Sequence, residues 1–282
     1  MAITSRDQLI ASMGNNSSRL VLDKASLANT AAGQYHSLWR ATGQPGQGAI
    51  PTAAATCNNA TLGGMGFSQQ VAPATSYCGY FDAVCSNHAT TLEVHDRIAH
   101  QGGLVGNVAT LQPLAVDLSA MGGTDNVAVR KGDANFSDVQ WWLEWYTDTG
   151  ATVATATIGV TYNDGTTGNL TGVALGATRR ASFMLPLNSL VPAVASGKFI
   201  RGVTGITLSV STGTAGSFGV TATRKRFALS LPLANFMPGP SNWADLGLPE
   251  IFNSSCLFPV VLCSTTSAGA VRGGGKIIHG ET

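Results

Sequence analysis

Between residues 92 and 233 the sequence alternates between short strand-like segments and turn signals, and this pattern constrains the fold more than any other feature. Seven or eight segments with alternating apolar and polar residues follow one another, with turn signals roughly every 8–12 residues. Asn163-Asp164-Gly165 is the strongest of these signals and is typical of a tight hairpin. No helical pattern interrupts the series, which favours a mainly β, antiparallel β-sandwich or jelly-roll core over a parallel α/β fold.

Residues 139–146 are the most apolar of these strand candidates. Trp141, Leu143 and Trp145 fall on one face together with Val139, while Glu144 falls on the other face. Each large aromatic side chain buries on the order of 150–250 Å², so this strand is predicted to anchor the core. Apolar faces of two later segments extend the same core. The predicted core anchors are Trp141, Leu143, Trp145, Ile206, Leu208 and Phe218.

The regions on either side of these strands have a different character, which divides the sequence into three parts. Residues 1–91 begin with a short helix pattern and continue as a Gly-rich, loop-rich region. Residues 92–235 form the predicted β-sandwich core. Residues 236–282 form a predicted C-terminal extension, in which Gly273-Gly274-Gly275 reads as a flexible joint. Such long extensions often dock onto a neighbouring subunit, although a frayed terminus explains them as well.

The chain carries unusually little charge. Only 11% of its residues are charged, against roughly 25% in an average soluble domain. A surface with so little charge indicates that partner subunits cover much of it, and we expect a homo-oligomer or a larger assembly. The 16 Lys and Arg residues nearly balance the 15 Asp and Glu residues, which argues against nucleic acid as a ligand. No apolar run approaches ~20 residues, so no membrane span is predicted.

Basic residues do cluster at Arg179-Arg180 and at Arg224-Lys225-Arg226. Short clusters of this kind are usually a solvated rim or a subunit contact. Phosphate binding is the alternative interpretation.

The most suggestive cluster of candidate metal ligands lies between residues 78 and 100 and consists of cysteines and histidines together with Asp82 and Asp96. The spacing of the cysteines and the first two histidines is Cys-x6-Cys-x2-His-x6-His, which matches no standard zinc pattern. Buried thiols with surface or hydrogen-bonded imidazoles are the preferred interpretation, so no metal and no cofactor are expected. The candidates considered were Cys78, Cys85, His88 and His95.

Motifs for catalysis are missing from the sequence, and the chain is not expected to be an enzyme. It contains no Gly-x-Ser-x-Gly nucleophile motif. Glycoside hydrolysis requires two carboxylates across a cleft. Glu144 lies among tryptophans that stack well on sugar rings, but a polar strand face explains it better. The carboxylates considered for this role were Glu93, Glu144, Asp148 and Asp164.

Three segments of the sequence resemble a set of structural proteins from the virions of tailed bacteriophages. They are Tyr35-His36-Ser37-Leu38-Trp39 with the following Gly43-Gln44-Pro45-Gly46, residues 142–147 (WLEWYT) and residues 208–220 (LSVSTGTAGSFGV). The similarity runs over most of the chain. No functional residue of that family can be transferred to this sequence.

This resemblance implies a virion protein that is assembled in the cytoplasm of the host bacterium. The expected role is capsid decoration (cement) or auxiliary head protein, with the major capsid protein or other virion subunits as partners. The alternative is a tail, vertex or fibre component that contacts the host, possibly through glycans. Residues 1–70 and 236–282 are the segments expected to make the subunit contacts.

Overall fold

The computed structural model describes residues 3–15, 17–28, 30–70, 75–87, 90–266 and 269–280. Strands account for 46% of the chain and helices for 7%, which confirms the prediction of a mainly β protein. The described pairs of β1 with β17, β9 with β10 and β12, β8 with β13, β6 with β16 and β5 with β17 are antiparallel, as predicted. Among the described residues no helix is long and apolar enough to cross a membrane.

The helices and strands of the described residues follow one another in a simple order. The helices are α1 (Arg6–Asn15) and α2 (Val127–Arg130), with short 3-10 turns at Asn188–Leu190 and Ala193–Ala195. The first strands are β1 (Ser17–Lys24), β2 (Gln34–Ser37), β3 (Gly43–Gln44), β4 (Ala55–Thr56), β5 (Ser76–Cys85), β6 (Thr90–Val105), β7 (Gln112–Asp117), β8 (Gln140–Trp145) and β9 (Ala154–Tyr162). The later strands are β10 (Thr167–Gly176), β11 (Phe183–Pro186), β12 (Ile200–Leu208), β13 (Ser217–Leu231), β14 (Ser241–Asn242), β15 (Glu250–Ile251), β16 (Leu257–Cys263) and β17 (Val271–His279).

The chain folds into two compact units that are interleaved along the sequence. Unit 1 comprises Met1–Ala49, Asn58–Asp96 and Lys225–Thr282, and unit 2 comprises Ile50–Cys57 and Arg97–Arg224. The predicted division into residues 1–91, 92–235 and 236–282 rests on changes in composition along the chain. In the structure, by contrast, segments from both ends of the chain belong to unit 1. Composition does not reveal this arrangement, because strands distant in sequence pair with each other.

Unit 2 contains a four-stranded sheet with the order β10-β9-β12-β7. The part of β13 that precedes Lys225 pairs with β8, and β8 pairs with β11. One hydrophobic cluster contains residues of both sets of strands. The indole N–H of Trp141 donates to the carbonyl of Ile200 over 2.8 Å. The Trp145 ring stacks on Phe218 with 5.7 Å between centroids.

All six residues predicted as core anchors are buried in this cluster of unit 2. The second face of β8, however, is buried as well. Solvent has almost no access to Trp142, Glu144 and Tyr146. Neither face of the strand is therefore exposed to solvent at these positions.

Unit 1 is built around a sheet with the order β14-β5-β17-β1-β3, in which β15 also pairs with β5. Strand β16 pairs with β2 on one side and with the first residues of β6 on the other. A second hydrophobic cluster fills this unit. Strand β17 lies between β1 and β5 and is therefore an internal strand.

The prediction of a flexible joint at residues 273–275 is wrong, because these glycines are part of β17. Gly273 pairs with Leu22 of β1 and with Ala83 of β5. A Cβ atom on Gly273 would lie 2.1 Å from the carbonyl oxygen of Asp82. The glycines therefore allow the three backbones to approach closely, and this steric role outweighs their usual preference for turns.

We predict that Gly273→Ala lowers the free energy of unfolding of unit 1 by about 3 kcal/mol, because the new methyl group meets fixed backbone. Urea unfolding followed by circular dichroism measures this change. Gly14→Ala is the matched control. Gly14 lies in α1 with nothing within 4 Å of the added Cβ, and we expect a gain of about 0.5–1 kcal/mol there. Equal stability of Gly273→Ala and the wild-type chain would contradict this account of β17.

Candidate contact surface

An exposed apolar loop follows β13 in unit 1. It comprises residues 232–240 and is called the apolar loop below. Pro232 to Pro238 are all exposed to solvent. The exposed fractions are 56% for Leu233, 48% for Phe236 and 43% for Met237. Three large apolar side chains thus project into water within five residues of sequence.

The local sequence explains why the chain leaves the sheet here. Phe227, Leu229 and Leu231 alternate inward along the last part of β13 and are buried in the core of unit 1. Pro232 then removes a backbone donor, so the strand ends. Asn235 takes a left-handed conformation with φ 54°, and its N–H donates to the carbonyl of Cys85 over 2.8 Å. This hydrogen bond holds the apolar loop at the Cys85 end of β5.

The apolar loop also lies in the middle of a long uncharged stretch. No charged residue occurs between Arg226 and Asp245. The Arg226 guanidinium packs over the ring of Phe252, 5.1 Å from its centroid, and donates to the carbonyl of Glu250. Several exposed apolar side chains close together mark interaction sites more often than plain surface. The geometry therefore identifies the apolar loop as a candidate contact surface.

Sequence reasoning found only part of this surface. The predicted contact segment 236–282 includes Phe236 and Met237, but Leu233 was placed in the core. The boundary at 235 cuts the apolar loop in two. An uninterrupted uncharged run from 227 to 244 is the sequence signal that would have identified the whole loop.

The predicted metal ligands do not come together in the described residues. Cys78 and Cys85 lie near opposite ends of β5, roughly 23 Å apart at ~3.3 Å per residue. Burial raises the pKa of Cys78 to about 12, so its thiol stays protonated. His88 lies outside the described residues. Within the described ranges no group of three or more His, Cys, Asp or Glu side chains is arranged to hold a metal ion.

His95 has a structural environment in unit 1. Its Nε2 lies 2.8 Å from Oε2 of Glu93, and its ring packs at 6.1 Å from that of Phe258. Burial lowers the pKa of His95, while the hydrogen bond to Glu93 opposes this effect. The imidazole is therefore held by its neighbours rather than presented to a ligand.

Glu144 lies in the interior of unit 2 and forms an ion pair with Arg97. The distance between Nη1 of Arg97 and Oε2 of Glu144 is 2.7 Å, and both side chains are buried. Thr221 donates its hydroxyl to the same carboxylate oxygen over 2.6 Å. Tyr146 lies 3.3 Å from it and accepts a hydrogen bond from Arg97. The carboxylate of Glu144 is therefore enclosed by side chains of the protein.

The other carboxylates considered for hydrolysis also have basic partners. Asp148 pairs with Arg180 over 2.6 Å, and Asp164 pairs with Lys198 over 2.8 Å. Glu93 lies 3.4 Å from Lys225 in addition to its contact with His95. Each of the four carboxylates therefore contacts a basic side chain of the protein.

The side chains of the two basic clusters likewise contact different residues of the protein itself. In unit 2, Arg224 pairs with Asp138 over 2.7 Å. Arg179 lies over the ring of Phe183, 4.5 Å from its centroid. In unit 1, Lys225 faces Glu93. These side chains therefore interact with groups of the protein itself.

Sequence reasoning did not identify Arg97 as the partner of Glu144. The two residues are separated by 47 positions, and no spacing rule links residues on different strands at that distance. The charged run His95-Asp96-Arg97 inside a strand pattern was the only hint, since charged residues in a buried strand require partners.

Comparisons with known proteins identify no family for this chain. No family model matches it, and no curated protein matches it. Among the solved structures, that of infectious bursal disease virus, Gx strain, aligns at 10% identity over 98% of this chain and 86% of that chain, with a TM-score of 0.19. T=1 particles of a mutant VP2 protein of infectious bursal disease virus align at 11% identity over 94% and 76%, with a TM-score of 0.16. TM-scores this low do not establish a common fold.

We predict that Glu144→Gln destabilises unit 2 by about 3–5 kcal/mol, because it leaves the guanidinium of Arg97 buried without a countercharge. Chemical unfolding followed by tryptophan fluorescence measures the loss. Asp138→Asn is the matched control, since it removes the half-exposed partner of Arg224 and is expected to cost about 0–1 kcal/mol. Equal losses for the two variants would argue against the importance of the buried pair.

Proposed function

We propose that this chain is a structural subunit of a virus particle and that it joins its neighbours through the apolar loop. The observation that carries this proposal is the exposure of Leu233, Phe236 and Met237 in a stretch without charge. Burial of apolar surface contributes roughly 25 cal/mol per Å², so these side chains favour a partner over water.

The low overall charge supports the same function. Only 11% of the residues are charged, and several of these are enclosed, including Lys24, Arg97, Arg130 and Glu144. The outer surface is therefore even more neutral than the composition suggests. Charge keeps a monomer apart from other molecules in solution, whereas a subunit covered by its neighbours does not need it.

The particle that we propose is that of a tailed bacteriophage, with this chain as a capsid decoration (cement) or auxiliary head protein. The segments that resemble such proteins lie around β2 and β3, around β8, and in the turn between β12 and β13 with the first residues of β13. The expected partners are the major capsid protein or other virion subunits. The protein would then be located in the virion after assembly in the host cytoplasm.

We further propose that unit 2 is an antiparallel β-sandwich of the jelly-roll type. Its support is the single hydrophobic cluster that contains residues of both sets of strands. Small sandwiches of this kind serve as rigid building blocks, since their backbone polar groups are satisfied within the sheets.

The alternative is a tail, vertex or fibre component that contacts the host, and glycan binding by such a component would use exposed aromatic rings. Trp141, Trp142 and Trp145 are buried, so β8 presents no ring to a sugar.

We predict that Phe236→Asp reduces binding to particles that lack this protein at least tenfold, because aromatic anchors dominate contact energies. Cosedimentation of purified protein with such particles measures the affinity. Val194→Asp is the matched control, since Val194 is 94% exposed and belongs to unit 2. Unchanged affinity of Phe236→Asp, or an equal loss for Val194→Asp, would overturn the assignment of the apolar loop.

A further inference from the structure

The sheet of unit 2 with the order β10-β9-β12-β7 has two edges, and the two differ in how well they are protected. At the β7 edge, Pro113 has no N–H to offer to a further strand. The N–H of Ala115 donates to the side chain of Gln101 over 2.7 Å. Proline on an edge strand and cover of its backbone groups prevent pairing with another chain. The β7 edge is therefore blocked by residues of the chain itself.

The β10 edge has no such protection over residues 167–171. This stretch, TGNLT, contains neither proline nor a charged residue. The side chains of Thr167, Asn169 and Thr171 are exposed to solvent. Because proline or charged side chains normally protect an exposed edge strand, this part of β10 is open to a further strand.

The hairpin that joins β9 to β10 determines which backbone groups face outward. The N–H of Tyr162 donates to the carbonyl of Thr166 over 2.8 Å, and positions along an antiparallel pair alternate between hydrogen-bonded and non-hydrogen-bonded. Thr167 therefore occupies a non-hydrogen-bonded position, and so does Asn169, which lies opposite Gly159. The N–H and C=O groups of these two residues point away from β9. Within the described residues no other strand pairs with β10, so a partner strand can bind these groups.

The open part of this edge is short. The register of β10 against β9 shifts after Leu170 and again after Ala174. The guanidinium of Arg179 donates to the carbonyl of Ala174 over 3.5 Å. Bulges and side-chain contacts of this kind hinder pairing with a further strand. A partner strand is therefore expected along residues 167–171 alone.

We propose that residues 167–171 pair antiparallel with the same residues of a second copy of this chain, about a two-fold axis at Asn169. In this register the two Asn169 residues exchange both of their backbone hydrogen bonds, and Thr167 lies opposite Thr171. The four-stranded sheet of one copy then continues into that of the other. A two-fold axis makes such a contact isologous, so it closes as a dimer. The contact lies in unit 2, does not involve the apolar loop, and goes beyond the proposed function.

The charge pattern of this segment favours its own copy over a foreign strand. A foreign strand is selected through side-chain pockets or charges next to the edge, and residues 167–171 carry no charge. In the two-fold register the solvent-facing pairs are Asn169 with Asn169 and Thr167 with Thr171. These side chains are neutral and can hydrogen bond across the strands, so two copies do not repel each other.

The shape of the segment also fits its own copy. On the face that points to the core, Leu170 of one copy lies opposite Gly168 of the other in the two-fold register. Opposite side chains on neighbouring strands are only about 5 Å apart at Cβ. The larger side chain therefore meets a residue that has none, and the pair is not crowded.

The small size of the contact determines how strong it is. A pair of short strand segments is smaller than the standard interface, which buries about 1,600 Å² in total. The free dimer is therefore weak. A particle that holds many copies close to one another raises their effective concentration, and the strand pair then forms readily.

Substitutions of Asn169 test this contact. Asn169→Pro removes the central N–H of both copies, and an edge strand tolerates proline where its N–H faces solvent. Asn169→Lys and Asn169→Glu each place two like charges opposite one another, which destabilises a strand pair. Thr204→Lys is the matched control. Thr204 is exposed and lies on β12, which β9 separates from β10.

The experiment is sedimentation velocity of purified full-length protein at concentrations up to about 1 mM, where weak contacts are populated. We expect the wild-type chain, Thr204→Lys and Phe236→Asp to form dimers of equal affinity. Asn169→Pro should weaken the dimer at least about tenfold, and each charged variant about fivefold. An equimolar mixture of Asn169→Lys and Asn169→Glu should restore dimers, because opposite charges then face each other across the two-fold axis.

Other outcomes overturn the proposal. Monomeric wild-type protein at every concentration would do so, and so would dimers of unchanged affinity in all three variants of Asn169. A mixture that restores no dimers would exclude the register centred on Asn169. Dimers lost in Phe236→Asp but kept in Asn169→Pro would assign the association to the apolar loop instead. If circular dichroism shows that Asn169→Pro does not fold, the two charged variants and their mixture decide the question.

Failure of this proposal is distinguishable from failure of the proposed function. The proposed function is tested by the binding of Phe236→Asp to particles, which depends on the apolar loop of unit 1. The strand pair is tested by the dimers of the free protein, which depend on Asn169 of unit 2.

Discussion

The scarcity of charge is the constraint on which the rest of this structure depends. Charged residues make up 11% of the chain, and some of them are buried, as in the pair formed by Arg97 and Glu144. Buried charges require partners at short distance, and here they connect strands that are far apart in sequence. What remains for the surface is mostly neutral, and this is one of the observations behind the proposed contact with other subunits.

The sequence predicted the local features well, because hydrophobic alternation and turn residues act over short distances. The strand around Trp141 and the hairpin at Asn163-Asp164-Gly165 depend only on neighbouring residues. The role of Gly273 was not predictable in this way. Its close approach to Asp82 depends on a pairing across almost 200 residues, and the same glycine pattern is typical of a flexible joint. The pairing of Glu144 with Arg97 was not predictable for the same reason, since it also joins residues that are distant in sequence.

For the candidate contact surface, too, the sequence reveals only those features that depend on neighbouring residues. The uncharged run that contains Phe236 is visible in the sequence, whereas its exposure depends on how the chain is held against Cys85 of β5. An apolar groove of unit 1 near Tyr77 likewise combines residues from both ends of the chain.

Cryo-electron microscopy of the intact particle tests the central claim most directly, because it shows what covers the apolar loop. The account predicts regular copies of this chain on the particle, each with Phe236 and Met237 buried against a neighbouring subunit. Copies whose apolar loop faces solvent throughout would contradict the claim that this loop is the contact surface. A particle without density for this chain would contradict the structural role itself.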